Sequence, residues 1–195
     1  IFPGEAITSR VDMLKATMEA SFDMEAAIPQ ILESAMYLAY ENKGWNIYNN
    51  TWNGKDEHDI DGPFADGVYA FPMLSDYLKA IDEVVSKQGF DERLKNDYLG
   101  SIRARLEGLM VGAKGLMLNT PRSINFKDLV NRKVVLELEE IRSGTEKSLI
   151  MGLILTNLVE AVKSRHREDI HFQHITLVEE AHRLFSKYMP GDSLN

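Results

Sequence analysis

The fold prediction rests on one stretch near the carboxyl end, His174-Ile175-Thr176-Leu177-Val178-Glu179-Glu180-Ala181-His182-Arg183. Apolar or β-branched residues at 175–178 run into two adjacent carboxylates, Glu179 and Glu180, and a helix-compatible segment follows. This pattern is typical of a buried strand that ends at the carboxyl edge of a parallel sheet, where α/β proteins bind their ligands. Acids at such an edge can orient a magnesium-bound water or polarise an attacking water.

The acid pair also has a purely structural explanation. Glu179 and Glu180 suit the first turn of a helix, because carboxylates are stabilised at the positive end of the helix dipole. In that case a strand is followed directly by a helix from about Glu179 to Lys187, and the acids have no chemical role. The pattern at this position does not separate the two explanations.

The composition is that of an ordinary globular chain. Of the 195 residues, 44% are hydrophobic and 27% are charged, so a core is expected. The net charge of -8 argues against a protein coated in basic charge, although a local patch could still contact nucleic acid. Because there is no cysteine, disulfides, thiolate metal sites and cysteine nucleophiles are excluded.

No segment of the sequence predicts membrane insertion or export. The most apolar stretch, 149–162, is interrupted by polar residues and is too short to span a bilayer. No signal peptide is visible, and a cytoplasmic location is therefore expected. The chain opens on Ile1-Phe2-Pro3-Gly4 and stops in a loop-like sequence, so we interpret it as a piece of a longer protein.

Residues 1–120 are predicted to form a mostly helical subdomain. Apolar residues at helical spacing predict four helices, at about 9–22, 29–44, 72–87 and 91–110. Polar residues and glycines predict loops at 46–67 and 108–115. The first loop contains Asp56, His58, Asp59 and Asp61, but their spacing matches neither an EF-hand nor a zinc motif, so we interpret it as a solvated loop.

Residues 121–195 are predicted to form part of an α/β core. A strand at 134–138, a helix at about 145–167 and the strand before Glu179 alternate along the chain. This order predicts a right-handed βαβ crossover with parallel strands.

The sequence lacks the phosphate-binding loop that would complete such a core. That loop has the pattern G-x-x-x-x-G-K-[S/T]. Gly54-Lys55 is followed by Asp56, and Gly112-Ala113-Lys114-Gly115 has the wrong order. Without this loop a nucleotide loses most of its phosphate contacts.

The sequence nevertheless resembles the central part of bacterial ATP-binding proteins of the HerA/VirB4 type, in the FtsK–HerA group of P-loop motor ATPases. The matching strings are Phe71-Pro72-x-Leu74-Ser75-Asp76, Asp91-Glu92-Arg93-Leu94, Arg103-x-Arg105-Leu106, Gly112-Ala113-Lys114-Gly115, Val134-Val135-Leu136-Glu137-Leu138-Glu139, Gly152-Leu153-Ile154-Leu155 and Leu177-Val178-Glu179-Glu180-Ala181-His182-Arg183. The resemblance implies a partial RecA-like P-loop ATPase core with a large helical insertion. The Walker A loop would lie upstream, and the acid pair would be the Walker B motif.

The resemblance also implies roles for individual residues. Glu179, where the family more often has Asp, would hold a metal-bound water, and Glu180 would be the catalytic base. Arg142 is the first candidate for an arginine finger that reaches a neighbouring subunit's γ-phosphate, and Arg183 is the second. Arg142 has a simpler alternative as a surface residue paired with Glu139 or Glu140.

The predicted function is that of a helicase-type motor which hydrolyses ATP with Mg²⁺ to translocate DNA. The full-length protein would form a homo-oligomeric, hexameric ring, and this fragment alone would be inactive. Two alternatives stay open. The chain could be a non-enzymatic helical protein-interaction module, or part of a secretion-type motor ATPase that acts on protein.

Overall fold

The computed structural model describes residues 1–22, 24 and 27–184, except the side chain of Arg183. The elements in these residues are α1 (Ile7–Ser21), α2 (Ile28–Asn42), β1 (Trp45–Asn46), β2 (Thr51–Trp52), α3 (Leu74–Lys87), α4 (Glu92–Gly108), α5 (Gly112–Leu118), α6 (Phe126–Leu129), α7 (Gly144–Glu168) and a 3-10 helix (Ala181–Leu184). They form two compact units. The first unit comprises residues 1–15, 24 and 27–125, and the second unit comprises residues 16–22 and 126–184.

Side chains define where two of the longer helices begin. Asp91 Oδ1 accepts a hydrogen bond from the backbone N–H of Leu94 at 2.9 Å, at the start of α4. Ser143 Oγ accepts one from the backbone N–H of Glu146 at 3.3 Å, at the start of α7. Both bonds satisfy backbone donors that have no acceptor inside the helix, which is why these residue types favour helix starts.

The core of the first unit lies among α2, α3 and α4. Helix α2 packs on α3, and α3 packs on α4. Their facing side chains are almost completely buried: Ile31 and Met36 from α2, Ile81 and Val85 from α3, and Ile102 from α4. The apolar residues recur every three or four positions along each helix, so that one face of each helix is removed from water.

The core of the second unit is built on α7. The short helix α6 packs against it, and Phe126, Leu149 and Ala161 are buried. Gly152 allows the end of α1 to approach closely, because an added Cβ would lie 2.5 Å from the Thr17 methyl carbon. A larger residue at position 152 would therefore separate these two helices.

The predicted parallel βαβ core is wrong for the part of the chain that is described. There the one sheet is the antiparallel pair β1–β2, in which Trp45 faces Trp52. Residues 133–138 and 172–178, which include both predicted strands, have no regular secondary structure. A parallel sheet needs several strands covered on both faces, and two strands cannot supply this by themselves.

Three smaller predictions were also wrong. The hairpin β1–β2 begins one residue before the predicted polar loop at 46–67 and extends into it, and α5 occupies part of the predicted loop at 108–115. A turn and the 3-10 helix Ala181–Leu184 stand where a helix to Lys187 was predicted, and residues 185–187 lie outside the described chain.

The turn between α2 and β1 gives a test of backbone strain. Gly44 has a φ of +92°, and a Cβ there would collide with the side chain of Asn53. We expect Gly44→Ala to lower the free energy of unfolding by about 1–3 kcal/mol, because L-residues are strained at this φ.

The control is Gly100→Ala, at an exposed α4 position with nothing within 4 Å of an added Cβ. It should raise stability by up to about 1 kcal/mol, since alanine is the better helix former. Urea denaturation measures the free energy of unfolding of both variants. An equal loss of stability in the two would contradict the backbone strain expected at position 44.

Candidate functional site

The two acids predicted to carry chemistry lie in an exposed turn. Glu179 and Glu180 form this turn between residues 172–178 and the 3-10 helix, and both are exposed. Glu180 has a φ of 53°, in the left-handed region that side-chain-bearing residues seldom adopt. The acids are therefore held next to each other and open to solvent, and the described structure places no sheet edge beside them.

The same layout occurs earlier in the second unit. We call residues 133–138 segment 1 and residues 172–178 segment 2. Each contains several apolar residues, lacks regular structure and runs into a turn formed by two glutamates, which after segment 1 are Glu139 and Glu140. Val135 in segment 1 is 83% exposed, and Ile175 and Leu177 in segment 2 are 92% and 87% exposed. Apolar surface of this kind gains roughly 25 cal/mol per Å² when another body covers it.

Arg142 lies between the turn at Glu139 and the start of α7, and it is exposed. The alternative explanation paired it with one of the preceding acids, but within residues 27–184 the structure records no ion pair between them. The side chain of Arg183, the second candidate, lies outside the described part. The arginine-finger role of either residue stays a prediction.

The segment that follows the acid pair packs on α7. The 3-10 helix contacts α7, and its Leu184 lines a cavity of about 250 Å³ in the second unit. Apart from Leu155, the other lining residues are small, among them Thr17 and Gly152. Glu179, Glu180 and Arg142 do not line this cavity, so it is not a pocket of the predicted site.

The acid pair alone does not complete a metal or nucleotide site. In the described residues no group of three or more histidine or acidic side chains is placed to hold a metal ion. Magnesium in nucleotide sites takes one or two carboxylates and completes its shell with water and phosphate. Since the sequence has no phosphate-binding loop, the residues of this chain do not fit a magnesium nucleotide without ligands from elsewhere.

The basic residues at the end of α7 are partly engaged within the second unit. Lys163 Nζ lies 2.7 Å from Glu160, and Arg165 Nη1 lies 2.7 Å from Glu168. Hydrogen bonds from Arg165 and Lys127 lower the pKa of the Glu168 carboxyl. These ion pairs reduce the positive charge that this end of α7 would offer to a phosphate backbone.

Comparisons with known proteins add no relative. No family model, no curated protein and no solved structure matches the chain. The resemblance to HerA/VirB4-type ATPases therefore stays a prediction from the sequence motifs. Among the described helices, none has the length and apolar character needed to cross a bilayer.

Sequence reasoning missed one group of residues in the first unit. Residues 46–67 were predicted to be a solvated loop, yet Glu57 from this loop lines the same cavity as Glu5 and Trp45. Neither periodicity nor motif spacing relates residues about fifty positions apart. The one local signal is the density of asparagines at 46–53, a residue type that tolerates the left-handed turns seen at Asn50 and Asn53.

Proposed function

We propose that this chain is part of a DNA-translocating motor ATPase of the HerA/VirB4 type. In this proposal ATP and magnesium are bound mainly by residues outside the chain, in the cytoplasm, within a homo-oligomeric ring. Glu180 polarises the attacking water, and Glu179 holds a metal-bound water. Arg142, or Arg183 in its place, supplies positive charge to a neighbouring subunit's nucleotide.

The observation that carries the proposal is the exposed acid pair at the end of segment 2. Ile175 and Leu177 lie almost fully in solvent, and the two carboxylates directly after them are exposed. An acid pair that acts on a nucleotide bound by other residues must be accessible in this way. The apolar side chains before it supply surface for contact with the part that holds the nucleotide.

The test is the ATP turnover of the intact protein from the complete gene, measured with and without double-stranded DNA. We expect turnover that DNA stimulates, whereas the 195-residue chain alone should have none. Absence of turnover in the intact protein, with and without DNA, would contradict the proposal. Stimulation by a protein substrate but not by DNA would indicate a secretion-type motor instead.

A second candidate function is favoured by one observation, the helical character of the described residues. Their sheet is one hairpin of two short strands, and segments 1 and 2 expose apolar side chains. A chain of this kind could act by binding a partner protein alone. A protein of that kind would hydrolyse no ATP. Its partner binding would survive the double replacement of Glu179 and Glu180 by Gln, because the contact would be apolar.

A further inference from the structure

Segment 2 has the side-chain geometry of a β-strand, although no strand of the described chain lies beside it. The rings of Phe172 and His174 stack with their centroids 6.2 Å apart, and His174 Nε2 lies 2.9 Å from Thr176 Oγ1. Every second side chain therefore lies on the same face, as in an extended strand. Among the described residues, no backbone–backbone hydrogen bond involves 173–178. The N–H and C=O groups of segment 2 are consequently open to pairing with another strand.

Segment 2 is attached to α7 at both of its ends. At the start of the segment, the Arg165 guanidinium lies 5.4 Å from the centroid of the Phe172 ring, and the His166 ring meets the same ring edge-on. After the end of the segment, the 3-10 helix Ala181–Leu184 contacts α7. The segment is thus held in place before any partner binds, which lowers the entropy cost of pairing.

The free face of segment 2 is apolar at its centre. Phe172 contacts α7, and the alternation of side chains along a strand puts Ile175 and Leu177 on the opposite face. These two side chains are 92% and 87% exposed. Segment 1 offers less apolar surface, because Val135 is its one apolar residue that is more than half exposed. Segment 2 is therefore the better site for a second strand.

The charges around segment 2 favour a second copy that runs in the antiparallel direction. Two histidines, His171 and His174, lie near its start, and Glu179 and Glu180 follow its end. A parallel copy would place four carboxylates side by side, and like charges directly opposite each other are destabilising. An antiparallel copy places the histidines of one chain near the acids of the other, where a histidine N–H can donate to a carboxylate.

One antiparallel register also matches the apolar residues. With Thr176 on a two-fold axis, Ile175 of each copy lies opposite Leu177 of the other, and the four side chains form one apolar cluster. A two-fold contact joins identical surfaces and is the commonest symmetry among protein dimers. Segment 2 is thus complementary to itself in both its charges and its apolar pattern.

We propose that segment 2 is a self-association site, at which a second copy of this chain pairs with residues 173–179 in the antiparallel direction. The oligomeric state of the chain tests this pairing without nucleotide, so the result is independent of the proposed ATPase function. That function assigns the same apolar side chains to contact with the part that holds the nucleotide. One chain therefore makes one of the two contacts at a time.

Sedimentation equilibrium of the 195-residue chain measures the self-association. Two short strands make a small interface, so we expect a dimer with a Kd on the order of 10–100 µM. Ile175→Lys should weaken this dimer at least about tenfold, because it places a charge in the apolar cluster. The matched control is Ile170→Lys, since Ile170 is 80% exposed and lies outside the paired residues. A chain that stays monomeric up to about 1 mM, or equal weakening by the two variants, would overturn the proposal. A monomer would leave segment 2 to a different protein.

Disulfide crosslinking tests the direction and the register, because the chain has no cysteine of its own. Directly opposite residues of an antiparallel pair have Cβ atoms about 4.5–5.5 Å apart, close enough for a disulfide after a small shift. A mixture of Ile175→Cys and Leu177→Cys chains should form the mixed disulfide faster than either variant crosslinks with itself. Glu179→Cys should not crosslink with itself, since its two copies lie roughly 20 Å apart in this register. Preferential crosslinking of Ile175→Cys or of Glu179→Cys with itself would overturn the arrangement.

Discussion

Replacing Glu180 with Gln in the intact protein is expected to reduce ATP turnover by about 10²–10⁴-fold, the usual contribution of a general base. Glutamine keeps the length and shape of the side chain, but it cannot accept a proton from the attacking water. Nucleotide affinity should be unchanged, because the proposal assigns the phosphate contacts to residues outside this chain. Steady-state hydrolysis and equilibrium nucleotide binding measure the two effects separately.

The chain offers a matched control for this substitution. Glu140 is the second glutamate of the turn after segment 1, as Glu180 is of the turn after segment 2, and both are exposed. Glu140→Gln removes the same charge from the corresponding position of the other turn, and it should leave turnover unchanged. Normal turnover in Glu180→Gln would remove Glu180 from the mechanism, and equal losses in both variants would indicate an effect of charge on assembly.

The helices could be predicted because their information is local. Ile31 and Met36 of α2 and Ile81 and Val85 of α3 recur at helical spacing, and each helix buries the face that this spacing defines. Asp91 could be predicted as the cap of α4 because its side chain reaches a backbone N–H three residues away. Such features need no knowledge of the rest of the chain.

The strands could not be predicted in the same way, since a strand exists only beside a partner. Segments 1 and 2 have the composition of strands, but the described residues provide no strand next to them. Their apolar side chains consequently remain exposed, as Val135 and Ile175 show. The sequence identified Glu179 and Glu180 as adjacent acids after an apolar segment, but not the turn and the left-handed backbone that present them.

Breaking the buried ion pair of the first unit should have the largest effect on stability. Arg10 Nη2 lies 2.7 Å from Glu5 Oε2, and the two side chains are 5% and 2% exposed. We expect Arg10→Met to lower the free energy of unfolding by about 3–5 kcal/mol, because Glu5 would stay buried without its counter-charge. The surface control is Lys15→Met. The ion pair of Lys15 with Glu33 leaves the two side chains 27% and 32% exposed, so its loss should cost at most about 1 kcal/mol.

The double variant Arg10→Met with Glu5→Leu separates the two sources of that loss. If the cost of Arg10→Met comes from the uncompensated carboxylate, removing the carboxylate as well should restore most of the stability, since apolar side chains of similar volume replace buried ion pairs at little cost. Urea denaturation of the unchanged chain, Arg10→Met, Glu5→Leu and the double variant gives the coupling free energy between the two side chains. A double variant as unstable as Arg10→Met would show instead that packing of the arginine side chain causes the loss.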